Sequence, residues 1–210
     1  MQNIVFPKNR EKAQQMEKYM KNHFLFAGVP KPERFTLQKP LLDQSLALPV
    51  SDLLELVVTY YGQQEREYQY LAIDLVQKNV NRLSFEELTG LLPLVSQKEW
   101  WDSIDSWRKV YSTWAKRQQE TKAVFQLFEK QEDFWLRRIA ITLQLGFKEE
   151  TDVVLLSQAI EEDRLTAEFF IQKAIGWALR DYSKTNPLWV KKQLQGEWSK
   201  LVVREASKYL

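Results

Sequence analysis

Two segments of the sequence combine indole rings with charged side chains at spacings that suit chemistry on a positively charged substrate. The first is the run WWDSID over Trp100–Asp105, which places two tryptophans before a carboxylate. The second is FIQKAIGWALR over Phe170–Arg180, in which Trp177 lies among basic residues. An aromatic face beside a fixed negative charge attracts a substrate that carries positive charge on or near a ring. These two segments are the first candidates for a functional site.

The lack of cysteine and the presence of only one histidine exclude many kinds of catalytic site. The chain of 210 residues has no cysteine and a single histidine, His23. This composition excludes thiolate nucleophiles, thiolate metal sites and paired-histidine metal sites. His23 has no serine nucleophile motif near it, so we interpret it as a surface or capping residue and not as part of a catalytic triad. We expect neither a metal nor a cofactor.

The overall composition is that of an ordinary globular domain. Apolar residues make up 44% of the chain, which is enough for a sizeable core, and we predict a single domain over 1–210. There is no apolar run of about 18 residues and no secretory signal, so we expect no membrane association and a monomer in the bacterial cytosol. The net charge of +2 is too small to indicate a nucleic-acid partner by itself.

Apolar residues recur with helical periodicity almost throughout, and no segment alternates for long enough to predict a strand. Start and stop signals predict helices over 9–21, 51–61, 65–79, 84–95, 103–116, 120–130, 133–145, 151–160, 166–182 and 198–209, with a further start at 186–187. The proline-containing stretch from Gly28 to Pro49 is interpreted as irregular.

The helices recur at a regular spacing. Alternate helices begin near Glu65, Ser103, Asp133 and Thr166, a period of roughly 35 residues. This period predicts an all-α solenoid of stacked antiparallel helix pairs whose concave face is a binding surface. A compact helical bundle is the structural alternative.

Helical spacing also predicts which side chains face outward. In 133–145, Arg138 points nearly opposite the apolar stripe, with Trp135 on the same outer side, which predicts an exposed Trp–Arg pair. Asp102 suits the cap position before the helix predicted over 103–116. Asp105 lies one turn further on and cannot be that cap, although a carboxylate in the first turn is also stabilised by the helix dipole.

The helix predicted over 166–182 carries a row of basic residues. Lys173, Arg180 and Lys184 follow at i, i+7 and i+11, a row that can track a phosphate backbone. Trp177 lies at the border between this row and the core. Gly176 indicates a close approach to the backbone, either by a neighbouring helix or by a ligand. Lys116 and Arg117 end a different helix, and we expect them to contribute less to any DNA contact.

Several motifs together carry a resemblance to a known family. They are YMKNHFLF from Tyr19 with Pro32-Glu33-Arg34, Glu65-Arg66-Glu67, WWDSID from Trp100, Trp135 with Arg138, the segment 169–180, Lys184-Thr185-Asn186-Pro187 and Arg204-Glu205-Ala206. The chain thereby resembles the AlkD family of alkylpurine DNA glycosylases, proteins of HEAT-like helical repeats, nearly end to end. In that family a Trp, an Asp, an Arg and a second Trp gather in the concave cleft. The matching positions here are Trp101, Asp105, Arg138 and Trp177.

The resemblance implies hydrolysis of the N-glycosidic bond of cationic alkylpurines such as 3-methyladenine and 7-methylguanine in duplex DNA. Cleavage builds positive charge on the deoxyribose, and Asp105 would stabilise that charge and orient water. Trp101 and Trp177 would flank the lesion nucleotide, and Arg138 would hold a phosphate. The resemblance further implies a DNA contact at Tyr19 and excision without a base-binding pocket. A non-catalytic DNA-binding module, or a protein scaffold, is the competing interpretation.

Overall fold

The computed structural model describes residues 4–210, and in this part of the chain the regular structure is helical. The only β-type pairing among these residues is an isolated bridge between Leu25 and Glu65. The predicted all-α class is confirmed, and the helices pack in pairs. No described helix is both long and apolar enough to cross a membrane.

Contacts divide the chain into two compact units, the first ending at Leu94 and the second spanning Val95–Leu210. The α-helices of the first unit are α1 (Arg10–Tyr19), α2 (Lys31–Ser45), α3 (Val50–Tyr61), α4 (Arg66–Asn79), α5 (Phe85–Thr89) and α6 (Leu92–Val95), the last ending at the unit boundary. Nine residues of α4 are buried, and α2 and α3 both pack against it. The core of the first unit is therefore built around α4.

The helix α2 corrects a sequence prediction, because the stretch interpreted as irregular contains fifteen helical residues. Pro32 lies in the first turn, where a missing N–H costs nothing, and Pro40 lies inside the helix, where proline is ordinarily disfavoured. The buried face of α2 is also partly polar. Arg34 and Gln38 are buried and both donate hydrogen bonds to Asp74 of α4, at 2.8 and 2.7 Å. A polar buried face leaves no apolar periodicity to detect.

The second unit contains the remaining helices. They are α7 (Trp101–Gln118), α8 (Thr121–Gln126), α9 (Phe134–Thr142), α10 (Val153–Glu162), α11 (Phe169–Ser183), α12 (Pro187–Gln193) and α13 (Lys200–Ala206). The helix α9 packs against α7, α10 and α11, and α11 also packs against α12 and α13. The helices α7, α9, α11 and α13 therefore form a connected set that supports every candidate site residue except Tyr19.

Side-chain caps explain where most of these helices begin. The capping box of Ser84 and Glu87 is present as predicted, although the helix predicted over 84–95 is two short helices separated at Gly90. Asn186 caps α12, also as predicted, and Asp152 caps α10, which therefore begins at Val153. The stacking into a HEAT-like solenoid with a concave face, and the single domain over 1–210, stay predictions.

Candidate active site

The helix α7 begins two residues earlier than predicted. Trp101 is its first residue and Trp100 occupies the cap position, so Asp102 is the second helical residue and is buried. The interpretation of Asp102 as the cap is therefore wrong, although a carboxylate in the first turn still interacts favourably with the helix dipole. Asp105 lies four residues after Trp101, so both side chains project from the same face of α7.

Asp105 is held by a two-point ion pair with Arg138 of α9. The Arg138 Nε and Nη2 atoms donate to the two Asp105 carboxylate oxygens, each at 2.9 Å, and Nη1 donates to the Phe170 carbonyl of α11 at 2.5 Å. The Arg138 side chain is 1% exposed, whereas that of Asp105 is 25% exposed. A buried guanidinium thus fixes a carboxylate that still reaches the surface.

The predicted exposure of Arg138 and Trp135 is wrong, since both side chains are buried. The apolar stripe does face the core, where Ile139, Ala140 and Leu143 are buried. The opposite face is nevertheless covered, because α9 is packed by three other helices and not by one side of the core alone. Position around a single helix therefore did not predict burial here. The predicted contact between Arg138 and a phosphate stays a prediction.

The indole of Trp177 lies beside this ion pair. The Arg138 guanidinium carbon is 5.0 Å from the centroid of the Trp177 ring, and the Lys173 Nζ is 5.4 Å from it. Trp177 is half-buried, in keeping with its border position in the sequence. The structure therefore brings three of the predicted residues together: Asp105, Arg138 and Trp177.

Both indoles of the Trp100–Trp101 doublet are half-buried. Trp100 joins an aromatic cluster in which its ring centroid lies 5.7 Å from that of Trp135 and 5.3 Å from that of Phe170. Trp135 and Phe170 are themselves 4.8 Å apart. This cluster supports the start of α7, where Trp101 is located, from the side of α9 and α11.

The predicted basic row meets a carboxylate that is not among the predicted site residues. Glu205 of α13 is buried, and it pairs with Lys173 at 3.5 Å and with Arg180 at 3.2 Å. Lys184 is separate from this pairing, since it lies 3.9 Å from Asp181 and over the Tyr209 ring. The phosphate contacts predicted for Lys173, Arg180 and Lys184 stay predictions.

Glu205 also explains Gly176. A Cβ atom on Gly176 would lie 2.5 Å from the Glu205 Cβ, which no ordinary packing allows. Of the two alternatives for this glycine, the neighbouring helix is the correct one. The hydrogen bond from Lys208 and the nearby Lys173 charge hold the pKa of the Glu205 carboxyl below its ordinary value, against the opposite effect of burial.

The remaining predicted residue, Tyr19, ends α1 in the first unit and is 72% exposed. Its DNA contact stays a prediction. Among residues 4–210 the structure contains no group of three or more His, Asp or Glu side chains that could hold a metal ion. His23 is exposed, as expected of a surface residue.

The arrangement supplies a fixed negative charge with open acceptor positions. A carboxylate offers about four lone-pair sites, and Arg138 uses one on each Asp105 oxygen. The remaining sites can accept a hydrogen bond from water or stabilise a cation. Two parts of this site could not be predicted from the sequence. One is the Phe170 carbonyl, a backbone group with no side-chain signal. The other is Glu205, because Gly176 indicated a close neighbour but not which residue that neighbour is.

Comparisons with known proteins agree with this architecture. Residues 6–210 match the model of a family described as DNA alkylation repair enzyme. A solved structure described as a predicted DNA alkylation repair enzyme from Enterococcus faecalis is 50% identical, with a TM-score of 0.97 over 99% of each chain. The structure of smu.31 from Streptococcus mutans UA159 is 19% identical, with a TM-score of 0.66 over 95% of this chain and 98% of that chain, which is a likeness of fold alone. A search of curated proteins found no match.

Proposed function

Because this chain belongs to the family of DNA alkylation repair enzymes, we propose that it acts as a monofunctional DNA glycosylase on cationic alkylpurines in duplex DNA. The observation that carries the proposal is the Asp105 carboxylate, which is partly exposed and held at both oxygens by Arg138. The same Arg138 guanidinium also lies beside the Trp177 indole. A negative charge held in this way suits a reaction in which positive charge develops on the substrate.

The proposed reaction replaces the bond from C1′ to the base with a bond from C1′ to a water oxygen. The bond between C1′ of the deoxyribose and the purine nitrogen breaks, and its electron pair leaves with the base, which thereby loses its positive charge. A water oxygen then bonds to C1′, and the water proton passes to Asp105 or to solvent. A cationic base is a good leaving group, so no general acid is needed and one carboxylate is sufficient. The products are a free modified base and an abasic site.

The expected contribution of Asp105 can be stated in free energy. At about 4 Å and an effective dielectric constant near 20, a carboxylate attracts a unit positive charge by about 4 kcal/mol. If this attraction is realised only in the transition state, it corresponds to roughly a thousandfold in rate. Because Arg138 already orients the carboxylate, little reorganisation is required when the charge appears.

The other predicted residues have supporting roles in the proposal. Arg138 is a positioning residue, since three of its nitrogen atoms are committed to Asp105 and to the Phe170 carbonyl. Trp101 and Trp177 would press against the sugar of the lesion nucleotide and add the attraction of their ring faces for the developing cation. Duplex DNA is the proposed partner, and the monomeric state and the cytosolic location stay predictions.

The direct test is release of free base from methylated duplex DNA. Purified protein in excess over DNA that contains 7-methylguanine or 3-methyladenine is expected to release the modified base faster than buffer does, with and without a chelator. Base release no faster than in buffer, together with measurable DNA binding, would support the competing non-catalytic DNA-binding module. Loss of activity in chelator would contradict the cofactor-free reaction.

A further inference from the structure

The face of α7 that carries the candidate active site continues beyond it. Trp101, Asp105, Arg108 and Ser112 follow at i, i+4, i+7 and i+11, so they lie on one side of the helix. The second half of this side opens into a groove of about 550 Å³ between α7 and the turn that follows α9. The same helix therefore carries both the candidate active site and this groove.

The groove is lined by basic side chains on α7 and bounded on its other side by the turn that contains Leu145, Gly146 and Phe147. Arg108, Lys109, Lys116 and Arg117 line it from α7, and none of its lining residues is acidic. On the opposite wall is Gly146, where an added Cβ would meet nothing within 4 Å. The groove is therefore open to an approaching ligand, and its charge favours an anion.

These charges are not balanced within the protein. Lys116 pairs with Glu150 at 2.9 Å, whereas Arg108, Lys109 and Arg117 have no acidic partner within ion-pair distance among the described residues. The case of Arg108 is the clearest. Its Nε is buried and has no hydrogen-bond partner. Burial lowers the pKa of the Arg108 guanidinium. The charges of Asp105 and Asp181 act to raise this pKa, and the charge of Arg138 acts to lower it.

A buried donor without a partner, on a side chain that is otherwise half-buried, is costly unless a ligand satisfies it. Guanidinium groups bind phosphate oxygens through two parallel hydrogen bonds, and lysine adds a point charge for the same ligand. The rise along α7 from Asp105 to Lys116 is about 16 Å, which equals about five nucleotide steps along one strand of a duplex. A duplex that places a nucleotide at Asp105 therefore also extends along the length of the groove.

We propose that this groove binds the phosphodiester backbone of duplex DNA, with Arg108 as the phosphate-binding residue nearest to Asp105. The proposal rests on the proposed function for its choice of DNA as the anion. It assigns to Arg108, Lys109 and Arg117 a part in DNA binding, which for Arg117 departs from the sequence-based expectation of a smaller contribution.

The test measures binding to an undamaged duplex, so it does not depend on excision. Fluorescence anisotropy over a range of salt gives the slope of the logarithm of the binding constant against the logarithm of the salt concentration. Each phosphate contact contributes about 0.9 to this slope, so Arg108→Gln is expected to lower it by about one unit and to weaken binding about tenfold near 0.1 M salt. Arg108→Lys, which keeps the charge, is expected to recover part of the slope.

Two further variants keep the test clear of folding effects. Lys109 and Arg117 are exposed, so Lys109→Gln/Arg117→Gln should fold normally and still lower the slope by one to two units, by the same rule of about 0.9 per contact. Lys191→Gln/Lys192→Gln removes two exposed lysines of α12 outside the groove, and we expect a slope close to that of the unmodified protein.

The outcomes separate this inference from the proposed function. Groove variants with the control's slope would overturn the inference, even if the protein excises alkylated bases normally. A protein that binds DNA through the groove but releases no base would overturn the proposed glycosylase and leave the groove assignment standing. Failure of the unmodified protein to bind duplex DNA at any salt concentration would contradict the groove assignment as well.

Discussion

At the scale of single residues, the candidate site combines a carboxylate at the surface with a guanidinium beneath it. Two hydrogen bonds from Arg138 fix the plane of the Asp105 carboxylate, and the Phe170 carbonyl fixes Arg138 in turn. Each group would be an uncompensated charge without the other, and removing one partner of such a pair is strongly destabilising. Substitutions that keep the shape of Asp105 are therefore more informative than truncations.

A second acidic residue near the start of α7 predicts a pH dependence of stability. Burial, and then the neighbouring Asp133 carboxylate, raise the pKa of Glu99 to about 8. Because the folded-state pKa is raised, the contribution of Glu99 to stability is fully present below the unfolded-state value near 4.5 and is lost as pH rises to about 8. We expect urea unfolding to show a stability decrease between about pH 4.5 and pH 8 that Glu99→Gln reduces.

The exposed Glu86 of α5 provides the matched control for this measurement. Glu86→Gln changes the net charge by the same amount, and we expect it to keep the pH dependence of the unmodified protein. Identical pH profiles for Glu99→Gln and the unmodified protein would show that Glu99 does not hold a proton in the folded state.

At the scale of elements, α7 is the helix that organises the second unit. It carries Trp101, Asp105 and the groove residues on one side and buries Trp107, Val110 and Trp114 on the other. Since Asp105 and Arg108 are fixed to the same helix, their separation does not depend on loop conformation. Pairing of Asp105 with Arg138 then fixes α7 to α9 and, through Phe170, to α11.

The contact between α11 and α13 predicts the effect of one small substitution. In Gly176→Ala the new methyl group would meet Glu205 at 2.5 Å, so α13 must shift. Overpacking of this kind costs about 1–3 kcal/mol, and the gain in helix propensity offsets up to about 1 kcal/mol. We therefore expect urea unfolding to report a net destabilisation, together with weaker pairing of Glu205 with Lys173 and Arg180.

Gly90→Ala is the control for this prediction. An added Cβ at Gly90 makes ordinary contacts at 3.4 and 3.5 Å, and the backbone there has right-handed helical angles. We expect its stability to change by less than about 0.5 kcal/mol. Equal effects of the two substitutions would mean that α13 adapts to the methyl group without cost.

The sequence predicted the positions of the helices better than the contacts between them. The helical pattern located most helices, and the caps at Ser84 and Asn186 were found because capping is a local interaction. The helix α2 was missed because its buried face depends on Asp74 of another helix. For the same reason, the sequence identified Asp105 and Arg138 as candidates but could not predict that they pair with each other.

At the scale of the whole molecule, a net charge of +2 conceals an uneven distribution of charge. In the second unit, Glu205 pairs with four cations, Lys173, Arg180, Arg204 and Lys208, so most of their charge is not neutralised. The groove along α7 adds three cations without an acidic partner among the described residues. Both features favour a polyanionic partner on this unit, which the net charge alone did not indicate.

The most direct test of the central claim compares two aspartates that lie about one turn apart on α7. Single-turnover release of 7-methylguanine from duplex DNA is measured for the unmodified protein, for Asp105→Asn and for Asp102→Asn. We expect Asp105→Asn to lose at least two orders of magnitude in rate, in line with the attraction of about 4 kcal/mol, while it binds DNA at least as tightly.

Asp102→Asn also removes one negative charge, from the first turn of α7. We expect the excision rate of this variant to remain within a few-fold of that of the unmodified protein, because the interaction of the Asp102 carboxylate with the helix dipole amounts to about 0.3–1 kcal/mol. A large loss in Asp105→Asn alone would agree with a carboxylate that stabilises the developing cation. Excision by Asp105→Asn at the unmodified rate, or equal losses in the two variants, would contradict it.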